Sequence, residues 1–583
     1  MAVKTYYIGL GVTYHDPAIA IVDENGIPLF AEAGERYLQY KRAINCEPDI
    51  PSRLPGLLRE FCPDAGRFVL AFSWRKKRPW YERIASALGL LSAGGLNRQG
   101  LKRLGSPLDN RQIHHMMACN RLSLARGGLN LTRLLGEQYS SCPVEFRDFD
   151  HHDTHAASAC FASPFSETAC AVVDSYGENG SMCFYRFRNG KLERLHESHG
   201  LGSLGLYYMH ITALCGFDWM QGEEWKVMGL APYGRFDEEV YKLLKNILSV
   251  RGLDLEHPQG RLFPALAGLE KKRRPTSDPA ERAADLAYTG QYYFAQIMTE
   301  ILANFHDNYP SENLALAGGC ALNSSFNGQI ASKTRFSKLY IPPAPADDGT
   351  ALGAAWLAFA RERKYFPSSS FPMSAYLGSK FSDEALARLV RFSAGMDVRH
   401  LPGTICEETA RLLAQGKLVG WVQGRAEFGP RALGNRSILA DPRDPGMKSR
   451  INDRVKFRED YRPFAPSILH EYGHEYFEDY RETPYMEQAL RFRPEAAARV
   501  PAVVHVDGTG RLQTVKQEWN PAFHRLLTAF HQETGIPLLL NTSFNVMGKP
   551  IVHSVEDAVA VFMTSGLDLL IIGDWLFAKP EAT

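Results

Sequence analysis

The run TYYIGLGV (5–12), TYHDP (13–17), AIAIVDE (18–24), Asn25-Gly26 and IPLFAEAGE (27–35) reads as strand, polar loop, strand, tight turn and strand. Asn-Gly between two apolar runs is the strongest short-range hairpin signal, because both residues tolerate positive φ. The same plan returns in ACAVVD (169–174), SYGENG (175–180), SMCFYRF (181–187), Arg188-Asn189-Gly190 and KLERLHE (191–197). The repetition predicts an α/β domain of two similar halves, although two unrelated hairpins would read alike. In each half a polar or glycine-bearing loop follows the first strand, where ligands of open α/β sheets collect and backbone N–H groups can cradle phosphate.

Between the repeats stands FDHHDTHAASA (149–159), with His151 and His155 four residues apart at the start of a small-residue run. On a helix both imidazoles share one face. Three histidines in five residues (151, 152 and 155), with Asp174 at the end of an apolar strand and Asp347-Asp348-Gly349 before a helical run, make a plausible N/O-ligand metal site. The spacing alone is weak, since 18 histidines in 583 residues yield roughly half an i,i+4 pair by chance. A packed or solvated pair is the alternative.

The chain is too long for one core, and two large domains suit its length. Its 22% charged residues and net charge of +1 give no footprint for nucleic acid or membrane. Ten cysteines without a CxxC pair fit a reducing, cytoplasmic compartment. His15-Asp16 interrupts the first apolar run before a signal-like core forms, and no later run reaches membrane-spanning length.

Further along, residues 75–136 are rich in Arg, Lys, Gly and Leu, with helical patches and Gly breaks. Lys226 lies between an acidic turn and MGLAPYG (228–234), where it could meet a phosphate as a point charge or serve as a surface lysine. A long amphipathic helix over 280–308 leads to a strand over 314–317 and to Gly318-Gly319. A strand–GG–helix junction there permits close approach of a nucleotide. Asp347 reads equally as a bare helix cap. A boundary is expected near 364–380, followed by helices at about 383–395 and 405–416 and a strand over 418–422.

GRAEFGPRALGNRS (424–437), with Lys456, Arg458 and Arg462 beyond it, holds more cations than can be buried without anionic partners. Guanidinium forks suit phosphate or carboxylate. A structural network with Glu427, Asp441 and Glu459 is the alternative. VDGTGR (506–511) and NTSFN (541–545) add two strand-end polar clusters.

Seven ordered motifs, HHDTHAASA (151–159), EEWKVMGLAPYG (223–234), LAGGCALN (316–323), DDGTALGAA (347–355), GRAEFGPRALGNRSILADPR (424–443), YRPFAPSIL (461–469) and NTSFNVMGKPIV (541–552), resemble the NodU/CmcH-type O-carbamoyltransferases over nearly the whole chain. The resemblance implies a duplicated actin/Hsp70-like ATPase-fold domain over 1–368, similar also to the enzyme that attaches threonylcarbamoyl to tRNA, and a YrdC-like domain over 369–583. In the second, carbamoyl phosphate and ATP with Mg2+ would give carbamoyl adenylate and pyrophosphate. In the first, the carbamoyl group would pass to a hydroxyl of a small-molecule, antibiotic-type acceptor.

Carried over motif by motif, the resemblance makes His151, His155, Asp174 and Asp347 ligands of Fe2+ or another divalent metal. It makes His15 the base for the acceptor hydroxyl. Lys41, Lys226, Gly318, Gly319 and Asn323 would hold the adenylate, and Arg431, Arg436, Arg462, Arg511, Asn541 and Ser543 would hold carbamoyl phosphate and ATP. Ser175 replaces a permissive glycine of the family pattern, and Trp225 stands where a small residue is common. A nucleotide-binding regulator or a tRNA-modifying enzyme are the competing classes. The fused Arg-rich domain counts against the first and the charge balance against the second. Neither nucleic acid nor membrane is an expected partner, and a homodimer is left open.

Overall fold

The computed structural model describes residues 4–76, 110–364, 366, 373–393 and 395–579. Much of the Arg-, Lys-, Gly- and Leu-rich stretch 75–136 therefore lies outside the described residues. Where described, it forms helices Asn110–Arg126 and Leu129–Gln138.

The chain divides into two compact units. The first comprises 1–34, 42–323 and 329–373, and the second comprises 35–41, 324–328 and 374–583. The main division thus falls after Met373, and two short segments from the N-terminal part join the second unit.

The first unit is built on two five-stranded sheets. One contains β1 (Thr5–Gly11), β2 (Ala18–Val22), β3 (Pro28–Ala33), β4 (Arg67–Phe72) and β5 (Val144–Asp148) in the order β3-β2-β1-β4-β5. The other contains β6 (Glu167–Val173), β7 (Met182–Arg188), β8 (Lys191–Glu197), β11 (Asn313–Ala317) and β12 (Lys338–Tyr340) in the order β12-β11-β6-β7-β8. A small hairpin, β9 (Ser249–Arg251) with β10 (Asp254–Glu256), stands apart from both. In each sheet the first three strands form an antiparallel meander, and the first strand pairs in parallel with a later one. The halves are therefore topological copies, as in the duplicated actin/Hsp70-like ATPase fold. Strands β1 and β6 are buried on both faces, as parallel-paired central strands must be, and so read as apolar runs.

Two helices, His151–Ala162 and Thr350–Arg363, pack closely together. A Cβ at Gly353 would lie 1.9 Å from the Thr154 carbonyl oxygen, so only glycine permits this approach. Small residues fill the interface: Ala156, Ala157, Ala159, Ala351, Ala354 and Ala355 are buried. Asp150 caps the first helix by accepting from the backbone N–H of His152 (3.1 Å) and Asp153 (3.4 Å), satisfying donors that the first turn leaves orphaned.

The second unit carries one nine-stranded mixed sheet. Its strands are β13 (Asp397–His400), β14 (Val419–Val422), β15 (Arg436–Ala440), β16 (Ala465–Leu469), β17 (Gln488–Arg491), β18 (Thr509–Val515), β19 (Leu538–Ser543), β20 (Leu569–Ile572) and β21 (Trp575–Ala578). They run in the order β13-β21-β20-β14-β15-β19-β16-β18-β17. Helices Ile405–Ala414 and Pro521–Thr534 pack against each other, over a core that includes Trp421, Leu439, Leu539 and Phe530. Among the described residues no helix is long and apolar enough to cross a membrane.

Candidate active site

In the first unit, strand ends and one helix bring four ligand-type side chains together. The Nε2 atoms of His151 and His155 are 3.2 Å apart. Asp174 Oδ2 lies 3.4 Å from the His151 nitrogen and 3.7 Å from that of His155. Asp347 Oδ1 lies 3.5 and 3.4 Å from the same two atoms. A cation about 2.1 Å from each donor requires donor–donor edges of roughly 3.0 to 3.4 Å, so the set needs only small adjustments to hold one.

All four residues are buried, and one ligand atom from each lies within 4.8 Å of the others. The Nδ1 atoms of both histidines are buried without a hydrogen-bond partner, so the polar commitment of these rings is at Nε2. Burial opposes charge on His151, but the two carboxylates outweigh it and raise His151 to about 10. Against the same burial, His151 brings Asp174 down to about 2. Two carboxylates and two imidazoles form a donor set that fits a borderline divalent metal.

Each first strand of the duplicated halves delivers one side of the site. Directly after β6 comes Asp174, whose Oδ1 accepts from the Gly319 N–H (3.0 Å) while Oδ2 faces the histidines. After β1, His15 Nδ1 lies 2.9 Å from Asp16 Oδ2 and 3.6 Å from Asp347 Oδ2. Asp347 thus offers one oxygen to the ligand set and the other to His15. Asp16 is also gripped by Arg42 through Nε (3.1 Å) and Nη2 (3.0 Å). Burial would raise Asp16, yet Arg42 and His15 hold it at about 2. Both Asp16 and Arg42 adopt left-handed backbone, with φ of 53° and 58°, conformations that non-glycine residues keep where surrounding structure enforces them.

The other residues singled out in the sequence fall as follows. Gly318 has φ +88°, and a Cβ there would meet the Val173 carbonyl oxygen at 2.3 Å. The helical run expected after Gly318-Gly319 begins as a 3-10 turn, Gly319–Leu322, and continues as the short helix Ser324–Asn327. Asn323 exchanges amide hydrogen bonds with Gln291 at 2.9 and 3.1 Å. Lys226, on helix Glu224–Leu230, is buried and sits 2.5 Å from Glu223. Lys41 belongs to the second unit and pairs with Glu35 at 3.4 Å. His152 does not join the ligand set. Burial and the neighbouring His151 depress it to about 3.

Three supports went unread in the sequence. Trp74 stacks on His151 at 4.5 Å between ring centroids. Arg75 ties Glu178 to the capping Asp150, at 2.7 and 2.9 Å. Arg42 follows the lysine that was singled out, but nothing in the sequence marks its positive φ.

In the second unit, cations crowd together. Burial and the neighbouring Arg511 hold Arg431 well below its ordinary value, and burial brings Arg511 down to about 10. Arg458 is lowered to about 9 by burial, Arg462 and Arg511, against an opposing pull from Glu459. Arg462 is 3% exposed and meets Glu459 at 3.2 Å. Lys456 ends the π-helical turn Asn452–Lys456, and its ammonium reaches Ser543 Oγ (3.2 Å) and the carbonyl (3.1 Å) and Oδ1 (2.7 Å) of Asn545. Burial, Arg458 and Arg462 push it well below the usual lysine range.

Lys456 and Arg462 are buried and Arg431, Arg458 and Arg511 partly buried, a gathering of like charge that a polyanion is suited to offset. Lys456 and Arg458, which the sequence marks by their density near Arg462, join the residues that the family resemblance assigns to carbamoyl phosphate and ATP. Arg436 differs from the others. It is fully buried and donates to main-chain carbonyls, among them those of Gln423 (2.6 Å) and Ser379 (3.1 Å), so its fork is engaged by the protein itself. Asn541 donates to Ser467 Oγ and Gln513 Oε1, both at 3.0 Å, and its own Oδ1 is buried without a donor. Ser543 Oγ donates to Asn545 Oδ1 at 2.7 Å.

Residues 139–356 match the family model described as "Carbamoyltransferase N-terminus", and residues 410–579 match "Carbamoyltransferase C-terminus". Nodulation protein NolO of Bradyrhizobium diazoefficiens is 37% identical over 74% of this chain and 79% of its own. The 3'-hydroxymethylcephem-O-carbamoyltransferase of Amycolatopsis lactamdurans is 36% identical over 46% of this chain and 49% of its own. An uncharacterised protein of Synechocystis, sll1178, is 32% identical over 99% of this chain and 97% of its own.

Proposed function

The chain belongs to the carbamoyltransferase family, and on that premise we propose that it is an ATP-dependent O-carbamoyltransferase working through carbamoyl adenylate. The second unit takes carbamoyl phosphate and ATP. Water displaces the phosphoryl group, leaving carbamate and inorganic phosphate. A carbamate oxygen attacks the α-phosphorus of ATP, and pyrophosphate leaves. In the first unit an acceptor hydroxyl attacks the carbamoyl carbon, and AMP departs with the bonding electrons.

One observation carries the proposal: Arg431, Arg458 and Arg511 lie partly buried in the same unit as buried Lys456 and Arg462, close enough that Arg511 opposes the charge on Arg431 and Arg458, and Arg458 and Arg462 that on Lys456. Carbamoyl phosphate, ATP and the adenylate all carry phosphate, which would offset that excess of positive charge.

In the first unit, Asp16 accepts from His15 Nδ1–H, which leaves Nε2 with the lone pair needed to take the hydroxyl proton. Asp347, beside His15, stabilises the imidazolium that results. His151, His155, Asp174 and Asp347 would hold a divalent metal, iron being the family expectation. When bound, the metal supplies Lewis acidity toward the carbonyl and the leaving group. Lys226 and the 318–323 turn would hold the adenylate. The acceptor class that the family suggests is a hydroxyl on an antibiotic-type metabolite, handled in the cytoplasm.

The test is incubation of the full chain with 13C-carbamoyl phosphate, ATP, Mg2+ and a panel of hydroxylated metabolites, followed by mass spectrometry. A labelled carbamate ester is expected. Label found only on amines, or on no acceptor while ATP is consumed, would contradict O-transfer.

A further inference from the structure

Loop 423–436 of the second unit lies outside strand and helix up to its last residue, yet two buried charged side chains pair its polar groups. Glu427 is 0% exposed, and its Oε1 accepts from the N–H groups of Leu433 (2.7 Å), Asn435 (2.8 Å) and Arg436 (3.2 Å). Arg436, also 0% exposed, works in the opposite sense. Its Nη1 donates to the carbonyls of Gln423 (2.6 Å) and Asn435 (2.9 Å), and its Nη2 to those of Ser379 (3.1 Å) and Gly424 (3.3 Å). One carboxylate oxygen gathers amides and one guanidinium gathers carbonyls, as a ladder would do in a strand.

The geometry closes the segment between Glu427 and Leu433 into a ring, and Arg431 stands on that ring. Gly429 and Gly434, with φ of 107° and 101°, supply backbone that other residues rarely adopt. The Leu433 carbonyl is pinned from outside by Tyr376 Oη and Gln513 Nε2, both at 2.9 Å. Glu427 is not the counter-ion of Arg431: burial and Arg511 act on that guanidinium, with no carboxylate offsetting them. The second oxygen of Glu427, Oε2, is buried without a hydrogen-bond partner. A buried carboxylate is costly to keep, and this one is committed on the Oε1 side to the backbone that presents Arg431.

We propose that Glu427 is a positioning residue for the anion site: it fixes the loop that aims Arg431, and through Arg431 it sets the affinity for the phosphate-bearing substrate. The proposal rests on the assignment of the cationic cluster to carbamoyl phosphate and ATP. It departs from the family-based expectation in separating Arg436, which frames the loop, from Arg431, which the loop presents.

The experiment uses the full chain with Glu427→Gln and Glu427→Asp. Glutamine keeps an acceptor oxygen at the same reach, whereas aspartate keeps the charge but is one methylene too short. For carbamoyl-phosphate-dependent pyrophosphate release, Glu427→Asp should raise KM for carbamoyl phosphate by roughly 30-fold, the low end of the affinity lost when one charged contact to a buried phosphate is weakened. Its kcat should stay within a few-fold of wild type, and Glu427→Gln should restore most of the affinity. An unchanged KM in Glu427→Asp overturns the proposal. So does a loss of kcat in Glu427→Gln at normal KM, which would make the carboxylate a chemical participant.

Should wild type release no pyrophosphate, the functional assignment fails by itself. Calorimetric binding of inorganic pyrophosphate then still decides the positioning claim. Weaker binding in Glu427→Asp that is restored in Glu427→Gln upholds it, and equal binding in all three proteins overturns it.

Discussion

Replacing Arg511 by methionine should stabilise the free protein and abolish its response to anions. Burial brings Arg511 from 12.5 to about 10, which at about 1.4 kcal/mol per pKa unit corresponds to a cost of roughly 3 kcal/mol for carrying the charge unpaired. Removing the charge also relieves Arg431, whose guanidinium Arg511 opposes. Methionine keeps part of the aliphatic stem, so a net gain of about 1 to 3 kcal/mol is expected, a melting rise of roughly 3 to 8 °C. The ligand-bound state moves the other way. Losing one fork from a desolvated phosphate site costs about 2 to 5 kcal/mol of binding. Wild type at a hundredfold excess over Kd gains about 2.7 kcal/mol from its ligand, and the variant should gain almost nothing. Scanning fluorimetry with and without carbamoyl phosphate plus ATP reads both effects. A variant that melts below wild type without ligand, or that keeps the ligand-induced shift, would refute the assignment of Arg511 to an anion site.

Arg431→Ala should likewise abolish carbamoyl-phosphate-dependent pyrophosphate release, and normal release would remove that arginine from the site. His15→Asn should still form carbamoyl adenylate while transfer falls by about 10²–10⁴-fold; loss of pyrophosphate release in this variant would break the proposed division of labour. His155→Ala should lose bound divalent metal as well as transfer, and elemental analysis showing wild-type metal content would exclude it as a ligand. Glu487 carries a pH prediction: burial raises it to about 8 against an ordinary 4.5. The folded state therefore holds a proton that the unfolded state releases, so this contribution to stability is full below about pH 4.5 and is lost as pH rises toward 8. Melting of wild type should decline across that window and Glu487→Gln should decline less; parallel curves would show that Glu487 ionises freely in the fold.

Much of the first unit was legible because its duplication is written twice in local chemistry. Asn25-Gly26 and Asn189-Gly190 both turn antiparallel hairpins, with positive φ at Gly26, Asn189 and Gly190. The helical spacing of His151 and His155 placed both on one face. That Asp174 and Asp347 converge on them follows from the sheet ends rather than from any spacing; residue type alone suggested the grouping, and the family resemblance singled out these two carboxylates and these two histidines.

The strand–GG–helix expectation holds in a reduced form, since the helix that follows is the short Ser324–Asn327. Gly319 gives its N–H to Asp174, and a 3-10 turn, Gly319–Leu322, intervenes before that helix. The supports of the sites were the least legible part. The Asp16–Arg42 grip links residues 26 apart in sequence through two left-handed backbones, and the Glu427 ring is a side chain bonded to backbone amides. Neither leaves a trace in periodicity or composition, because backbone N–H groups are the same for every residue but proline.

The central claim, activation of carbamoyl phosphate with ATP in the second unit, is tested most directly by the nucleotide products. Full-length protein given ATP, Mg2+ and carbamoyl phosphate should form AMP and pyrophosphate in equal amounts, with inorganic phosphate released from carbamoyl phosphate, and none of them when carbamoyl phosphate is omitted. Formation of ADP, or AMP formation indifferent to carbamoyl phosphate, would contradict it.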